Sequence, residues 1–358
     1  MFGLFKLISE QSNAFVLMGT IATSAIIVIA GSRLSKFGDK LADISGLSSS
    51  WIGMILLATI TSIPELASSV TASVSGVVDI GLGNVFGSNM FNMFIIALLD
   101  FLQGPGPVLL SVSATQILPA ALGILLMAIA IGGIYTAHTF SQDSSPAGFI
   151  WGWVFSMLIL FTWLVGAYIS YRSEQTTVSD EEFARKARPR ELRNILAKFT
   201  IAGVIVILMG IVLIGFAKEL AARTYTIGSL NITLGDSFVG TIVVALVTSL
   251  PEVVVSISAY RIGAVNMAIA NLFGSNTFNI VLIPIMDIVN GKQGLLAQVN
   301  QNHIITASFA MIMTTIAIMG VVYRSRKSFL YLGWDALSIL GFYLLGTYLI
   351  FTVTIRLG

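Results

Sequence analysis

Residues 53–100 read GMILLATITSIPELASSVTASVSGVVDIGLGNVFGSNMFNMFIIALLD, and residues 240–287 read GTIVVALVTSLPEVVVSISAYRIGAVNMAIANLFGSNTFNIVLIPIMD. At a constant offset of 187 and with no gap, 20 of these 48 positions are identical. Any two oily helices would share leucine and isoleucine, but here nine of the 20 shared residues are polar. Thr61 matches Thr248, Ser62 matches Ser249, Pro64 matches Pro251 and Glu65 matches Glu252. Further on, Asn84 matches Asn271, Gly-Ser-Asn recurs at 87–89 and 274–276, and Asn92 matches Asn279. A carboxylate near the centre of a bilayer is unfavourable by about 2.5–3.5 kcal/mol. An acid held at two matching depths therefore signals a site.

Around these stretches the chain is 56% hydrophobic and only 10% charged, against roughly 25% charged in soluble domains. It reads as a polytopic membrane protein whose main partner is the lipid bilayer. The net charge of +2 gives no reason to expect nucleic acid, because the basic residues fall in the loops between apolar runs. The absence of cysteine excludes disulfides, thiolate metal sites and cysteine nucleophiles. The opening MFGLFKLISEQSN lacks the features of a cleaved secretory signal, so the first apolar run is expected to remain as a span.

Runs long enough to cross roughly 30 Å of hydrocarbon fall at 13–32, 51–78, 81–102, 117–136, 148–171, 199–222, 238–263, 268–290, 303–323 and 332–355. Adding 187 to each of the first five lands on its counterpart in the second five. An odd number of spans per repeat forces the halves into opposite orientations, the plan of many secondary transporters. The expected fold is an all-α polytopic membrane protein of ten transmembrane helices, built as two inverted-topology five-helix repeats. The first repeat is 1–171, a linker on the inner side is 172–198, and the second repeat is 199–358. With both termini outside, the inner loops carry 14 of the 19 Lys and Arg, as the positive-inside rule prefers. The linker reads as a solvated hinge, with a capping-box helix start from Ser179 to Glu182.

Thr61, Ser62 and Glu65 lie three and four residues apart and share a helix face, which Ser69 extends. Pro64 and Pro251 lack an amide hydrogen, so they free the carbonyls of Ile60 and Val247 and are expected to bend or break their helices. Ser88 and Asn92 share a face of the third span. Joining the repeats in inverted orientation collects two carboxylates, carboxamides, hydroxyls and freed carbonyls, all hard oxygen donors. Neither histidine, His138 or His303, belongs to the set. Such ligands suit Ca²⁺ or Na⁺ and disfavour zinc, copper and iron. Asp79 is Asn266 in the other copy, and Asp100 and Asp287 match at span ends, where they read as interfacial or entrance residues.

At these residues the sequence resembles the cation/Ca²⁺ exchanger superfamily, most closely its sodium/calcium exchanger branch of prokaryotic type. The TSIPE and GNVFGSNMFN of the first copy and the TSLPE and ANLFGSNTFN of the second follow that family's T-S-x-P-E and G-N-x-x-G-S-N-x-F-N segments. The resemblance implies electrogenic antiport of Na⁺ against Ca²⁺ by alternating access, with Ca²⁺ and Na⁺ as transported ions and no cofactor. It implies that Glu65 and Glu252 are the central carboxylates and that Asn92 and Asn279 complete the cluster. Thr61, Ser62, Thr248, Ser249, Ser88 and Ser275 would serve flanking Na⁺ sites, lined by the carbonyls of Ala58 and Ala245. It also implies that the first and sixth spans slide across the rest. The sequence departs from the pattern at Ile60, Val247 and Ala270, where the family usually carries glycine, and at Asn279, where some members carry Asp. The alternative is a Ca²⁺/H⁺ antiporter of the same superfamily. An intramembrane enzyme has no support, since HExxH, paired-Asp and Gly-x-Ser-x-Gly motifs are missing, and a channel does not need an inverted repeat with broken helices.

Overall fold

The computed structural model describes residues 8, 11–104, 106–141, 147–175, 189–222, 224–227, 230–233, 247–291, 294–324, 328–329 and 332–357. Its principal helices there are α1 (Asn13–Ser45), α2 (Ser49–Val74), α3 (Val78–Gln103), α4 (Ile117–Ser141) and α5 (Ala147–Gln175). They are followed by α6 (Pro189–Ala222), α7 (Leu250–Arg261), α8 (Val265–Asn290), α9 (His303–Tyr323) and α10 (Trp334–Leu357). All but α7 are long and apolar enough to cross a membrane. The seventh span was expected from residue 238, and its part up to residue 246 lies outside the described residues, as does the expected Ser179–Glu182 helix start.

Two helices overrun their apolar cores. α1 continues to Ser45 and α6 begins at Pro189, so Arg33, Lys36, Lys40 and Lys198 sit on helix and not in loops. A hydropathy window stops at the first charges, but a helix need not. Leu34, Ser35, Gly38, Leu41 and Ala42 keep a buried seam at helical spacing beyond residue 33, which holds the extra turns in place. The ends are marked chemically. The Ser12 side chain accepts the Phe15 amide at the start of α1, and Gly46 follows its end at φ 72°, a left-handed position suited to glycine. α6 opens on a proline, whose missing N–H matters least there.

The repeats interlock. α8 packs against α4 and α5 of the first repeat, and α3 packs in the matching way against α9 and α10 of the second. Likewise α1 lies on α7, while α2 lies on α6. Ser32 and Ser258 hydroxyls meet at 2.9 Å, and the Ser35 hydroxyl donates to the Val255 carbonyl at 2.9 Å, tying α1 to α7. α2 and α8 approach closely because a Cβ on Gly274 would collide with the Met54 carbonyl, and one on Gly53 with the Met267 carbonyl. Outward faces of α1, α5 and α6 stay apolar, with Met18, Ile21, Phe161 and Leu208 all more than half exposed. Those surfaces require lipid.

The matched acids at span ends are structural. The Val108 and Gly333 amides donate to Asp100, and the Leu295 amide and Ser156 hydroxyl donate to Asp287. Both acids are buried. Asp79 and Asn266 also do one job in two copies. The Asn300 amide donates to Asp79 at 2.7 Å, and the Ser113 amide donates to Asn266 at 2.8 Å. Two short antiparallel ribbons, β1 (Thr224–Ile227) with β2 (Leu230–Thr233) and β3 (Ser328–Phe329) with β4 (Leu332–Gly333), add connections that hydropathy does not register.

Candidate cation site

The site forms where α2, α3, α7 and α8 meet, two helices from each repeat. Within each repeat a hydroxyl–carboxamide bond joins the pair of helices. The Asn84 side chain donates to Ser69 at 3.1 Å between α3 and α2, and the Asn271 side chain donates to Ser256 at 3.0 Å between α8 and α7.

Backbone irregularity accompanies the motif in both copies, though not in one form. In α2 the six residues Ile52–Leu57 form a π-helical turn, immediately before Ala58. Such turns are rare and recur at functional sites. Pro64 then lies inside an unbroken helical stretch, Ala58–Val74, so of the expected bend or break the break does not occur. In the second copy the break is present. Ser249 leaves helical geometry at φ −89° and ψ 11°, and Pro251 sits in the first turn of α7. A proline early in a helix removes only a donor that would have had no partner.

Glu65 and Glu252 are both fully enclosed. The Ser62 hydroxyl of the first repeat donates to Glu252 Oε1 of the second at 3.2 Å. Thr61 Oγ1 donates to the Ala58 carbonyl at 3.3 Å and lies 3.3 Å from the Ser275 hydroxyl. Thr248, Ser249, Ser275 and Ser88 are buried as well. Ala245 lies outside the described residues.

The decisive feature is what the oxygens lack. Both Glu65 oxygens, Glu252 Oε2, Asn92 Oδ1, Asn279 Oδ1 and Ser249 Oγ are buried and have no hydrogen-bond partner among the described residues. A buried acceptor without a partner costs about 1–3 kcal/mol, more when charged. A cation coordinated by these atoms would offset that cost. Among the described residues no group of three or more His, Cys, Asp or Glu is placed to hold a metal ion. The chemistry on offer is two carboxyls with neutral amide, hydroxyl and carbonyl oxygens, a hard set suited to Ca²⁺ and Na⁺.

Two further asparagines join the cluster, which the sequence displayed only as part of the repeated Gly-Ser-Asn. Asn89 Nδ2 donates to the Asn276 carbonyl and Asn276 Nδ2 donates to the Asn89 carbonyl, each at 3.2 Å. Asn92 Nδ2 donates to Asn276 Oδ1 at 2.9 Å, and Asn279 Nδ2 donates to Asn89 Oδ1 at 3.1 Å. The signal was their recurrence at the 187 offset.

The chain is similar to several known proteins. The family model for the sodium/calcium exchanger protein matches residues 15–172 and again residues 202–355. Sodium/calcium exchanger MaX1 of Methanosarcina acetivorans is 29% identical over 270 residues, which cover 69% of this chain and 75% of that protein. Inner membrane protein YrbG of Escherichia coli is 24% identical over 278 residues, covering 76% and 78%. The fold is shared with the sodium-calcium exchanger NCX_Mj in crystals soaked with 2.5 mM Na⁺ and 0.1 mM Ca²⁺, at a TM-score of 0.70 and 18% identity, over 93% of this chain and 98% of that one.

Proposed function

The chain belongs to the sodium/calcium exchanger family, and from that premise we propose that it is an antiporter that exchanges Na⁺ for Ca²⁺ at the Glu65–Glu252 cluster. The observation that carries the reading is the set of buried oxygens, contributed by both repeats, that have no partner within the described protein. Ca²⁺ takes six to eight oxygens at about 2.3–2.6 Å. Two carboxylates neutralise one such ion, and the Asn92 and Asn279 carboxamides supply neutral donors between them. Thr61, Ser62, Ser88, Thr248, Ser249 and Ser275, with the carbonyls of Ala58 and Ala245, serve Na⁺ on either side.

Exchange follows from overlap. Ca²⁺ and Na⁺ use shared oxygens, so one displaces the other. A ligand shifts inward-facing and outward-facing states only through differential affinity for them. Loaded forms shed the repulsion between two enclosed carboxylates and cross, while the empty form does not. The moving part is the α1–α6 pair, a choice supported by their extensive mutual packing and by their lying across the site helices α2 and α7. With both termini outside a prokaryotic plasma membrane, Na⁺ flows in and Ca²⁺ is extruded.

The test is ⁴⁵Ca²⁺ uptake into proteoliposomes loaded with Na⁺ and diluted into Na⁺-free buffer, beside a set carrying only a pH gradient. Uptake driven by Na⁺ and enhanced by inside-positive voltage is expected. Uptake driven only by the pH gradient would assign the protein to the proton-coupled alternative, in which the same carboxyls bind H⁺ in exchange for Ca²⁺.

A further inference from the structure

We propose that Asn89 and Asn276 are positioning residues that fix which atom of Asn92 and Asn279 faces the cation, an inference that rests on reading the Glu65–Glu252 cluster as a cation site. A carboxamide is ambiguous. Its oxygen accepts a cation, whereas its NH₂ group repels one, and the two exchange places by a half-turn about the last side-chain bond. Burial alone does not decide between them.

The network decides. Asn276 Oδ1 takes the Asn92 NH₂ at 2.9 Å, and Asn89 Oδ1 takes the Asn279 NH₂ at 3.1 Å. With each NH₂ occupied, each Oδ1 is the atom left over, and both are buried without a partner among the described residues. The holders are held in turn. Each spends its own NH₂ on the backbone carbonyl of the other, at 3.2 Å, so its oxygen cannot turn away. All four residues are enclosed, with at most 2% of their surface exposed. Only asparagine meets both demands at this length. Aspartate has no NH₂ for the carbonyl, leucine has neither group, and glutamine adds a methylene.

The wiring crosses between repeats. Asn92 of the first repeat is oriented by Asn276 of the second, and Asn279 of the second by Asn89 of the first. The residue that orients Asn92 is therefore not Asn89, its neighbour one turn away on α3. This separates positioning from a general structural contribution. Because each anchor is a backbone carbonyl, alanine at position 89 leaves the Asn276 anchor in place.

Equilibrium ⁴⁵Ca²⁺ binding to the purified full chain tests this through double-mutant cycles. Asn89→Ala and Asn276→Ala should each weaken Ca²⁺ binding about tenfold. Asn89→Ala should add almost nothing in an Asn279→Ala background and its full tenfold in an Asn92→Ala background. Asn276→Ala should show the mirror pattern, silent with Asn92→Ala and additive with Asn279→Ala. Coupling that follows helix neighbours, additivity with both partners, or unchanged affinity in the single variants would overturn the proposal. Where an alanine variant does not purify as a folded species, Asn89→Ser and Asn276→Ser keep a small polar group too short to hold the neighbouring amide, and the same pattern is expected. A wild-type protein that binds no Ca²⁺ would overturn the site reading itself, an outcome distinct from binding without crossed coupling.

Discussion

Glu65 and Glu252 sit in full enclosure, with three of their four oxygens lacking any partner among the described residues. A side chain placed there for packing alone would do better as leucine or methionine. The glutamine variant is the sharpest probe, because it keeps shape and volume and removes one charge. Glu65→Gln or Glu252→Gln should weaken Ca²⁺ binding on the order of 100-fold, about 2.7 kcal/mol, while the protein remains folded in detergent. Titration of the purified variants by isothermal calorimetry reads this directly, and affinity within threefold of wild type would remove these carboxyls from the site. The two acids were legible in the sequence because a membrane-depth carboxyl is conspicuous and its recurrence at a fixed offset is more so. Asn89 and Asn276 were equally repeated yet carried no legible role. Their partners lie 184 to 190 positions away, and periodicity reports which face a residue occupies, not which residue stands opposite. Asp79 and Asn266 illustrate the converse. The residue type differs between the copies, yet each supplies an acceptor oxygen to a backbone amide.

The irregular helices show how far motif chemistry reaches and where packing takes over. Both prolines are expected to bend or break their helices; the chain leaves helical geometry at Ser249 ahead of Pro251, whereas Pro64 lies within an unbroken helical stretch that follows a π-helical turn at Ile52–Leu57. A proline fixes the loss of one hydrogen bond, but where the helix relaxes depends on its neighbours. The neighbour here is α8, which approaches α2 so closely that Gly274 has no room for a Cβ beside the Met54 carbonyl and Ala58. Gly274→Ala should therefore force α2 and α8 apart and destabilise the protein by about 1–3 kcal/mol. Thermal unfolding in detergent should show a midpoint lowered by several degrees, and an unchanged midpoint would mean that the close approach is not required. The lengths of α1 and α6 were misjudged for a related reason. Hydropathy marks where lipid ends, while the buried seam through Leu34, Gly38 and Leu41 decides where the helix ends.

For the molecule as a whole, the inverted repeat was legible from arithmetic, since five spans per copy leave no other orientation. The exchange of partners was not. That α8 takes α4 and α5 while α3 takes α9 and α10 follows from surface complementarity between segments far apart in the chain, which no local pattern encodes. Its consequence is functional. Interlocking brings one acid and two asparagines from each repeat together, so neither half holds the whole cluster. Under the proposed function, Ca²⁺ and Na⁺ compete for the oxygens of this cluster. The most direct measurement is equilibrium ⁴⁵Ca²⁺ binding to the purified protein over a series of Na⁺ concentrations at constant ionic strength. Shared oxygens require the apparent Kd for Ca²⁺ to rise steadily with Na⁺ while the number of Ca²⁺ bound at saturation stays fixed, and a Kd indifferent to Na⁺ would contradict exchange at this centre.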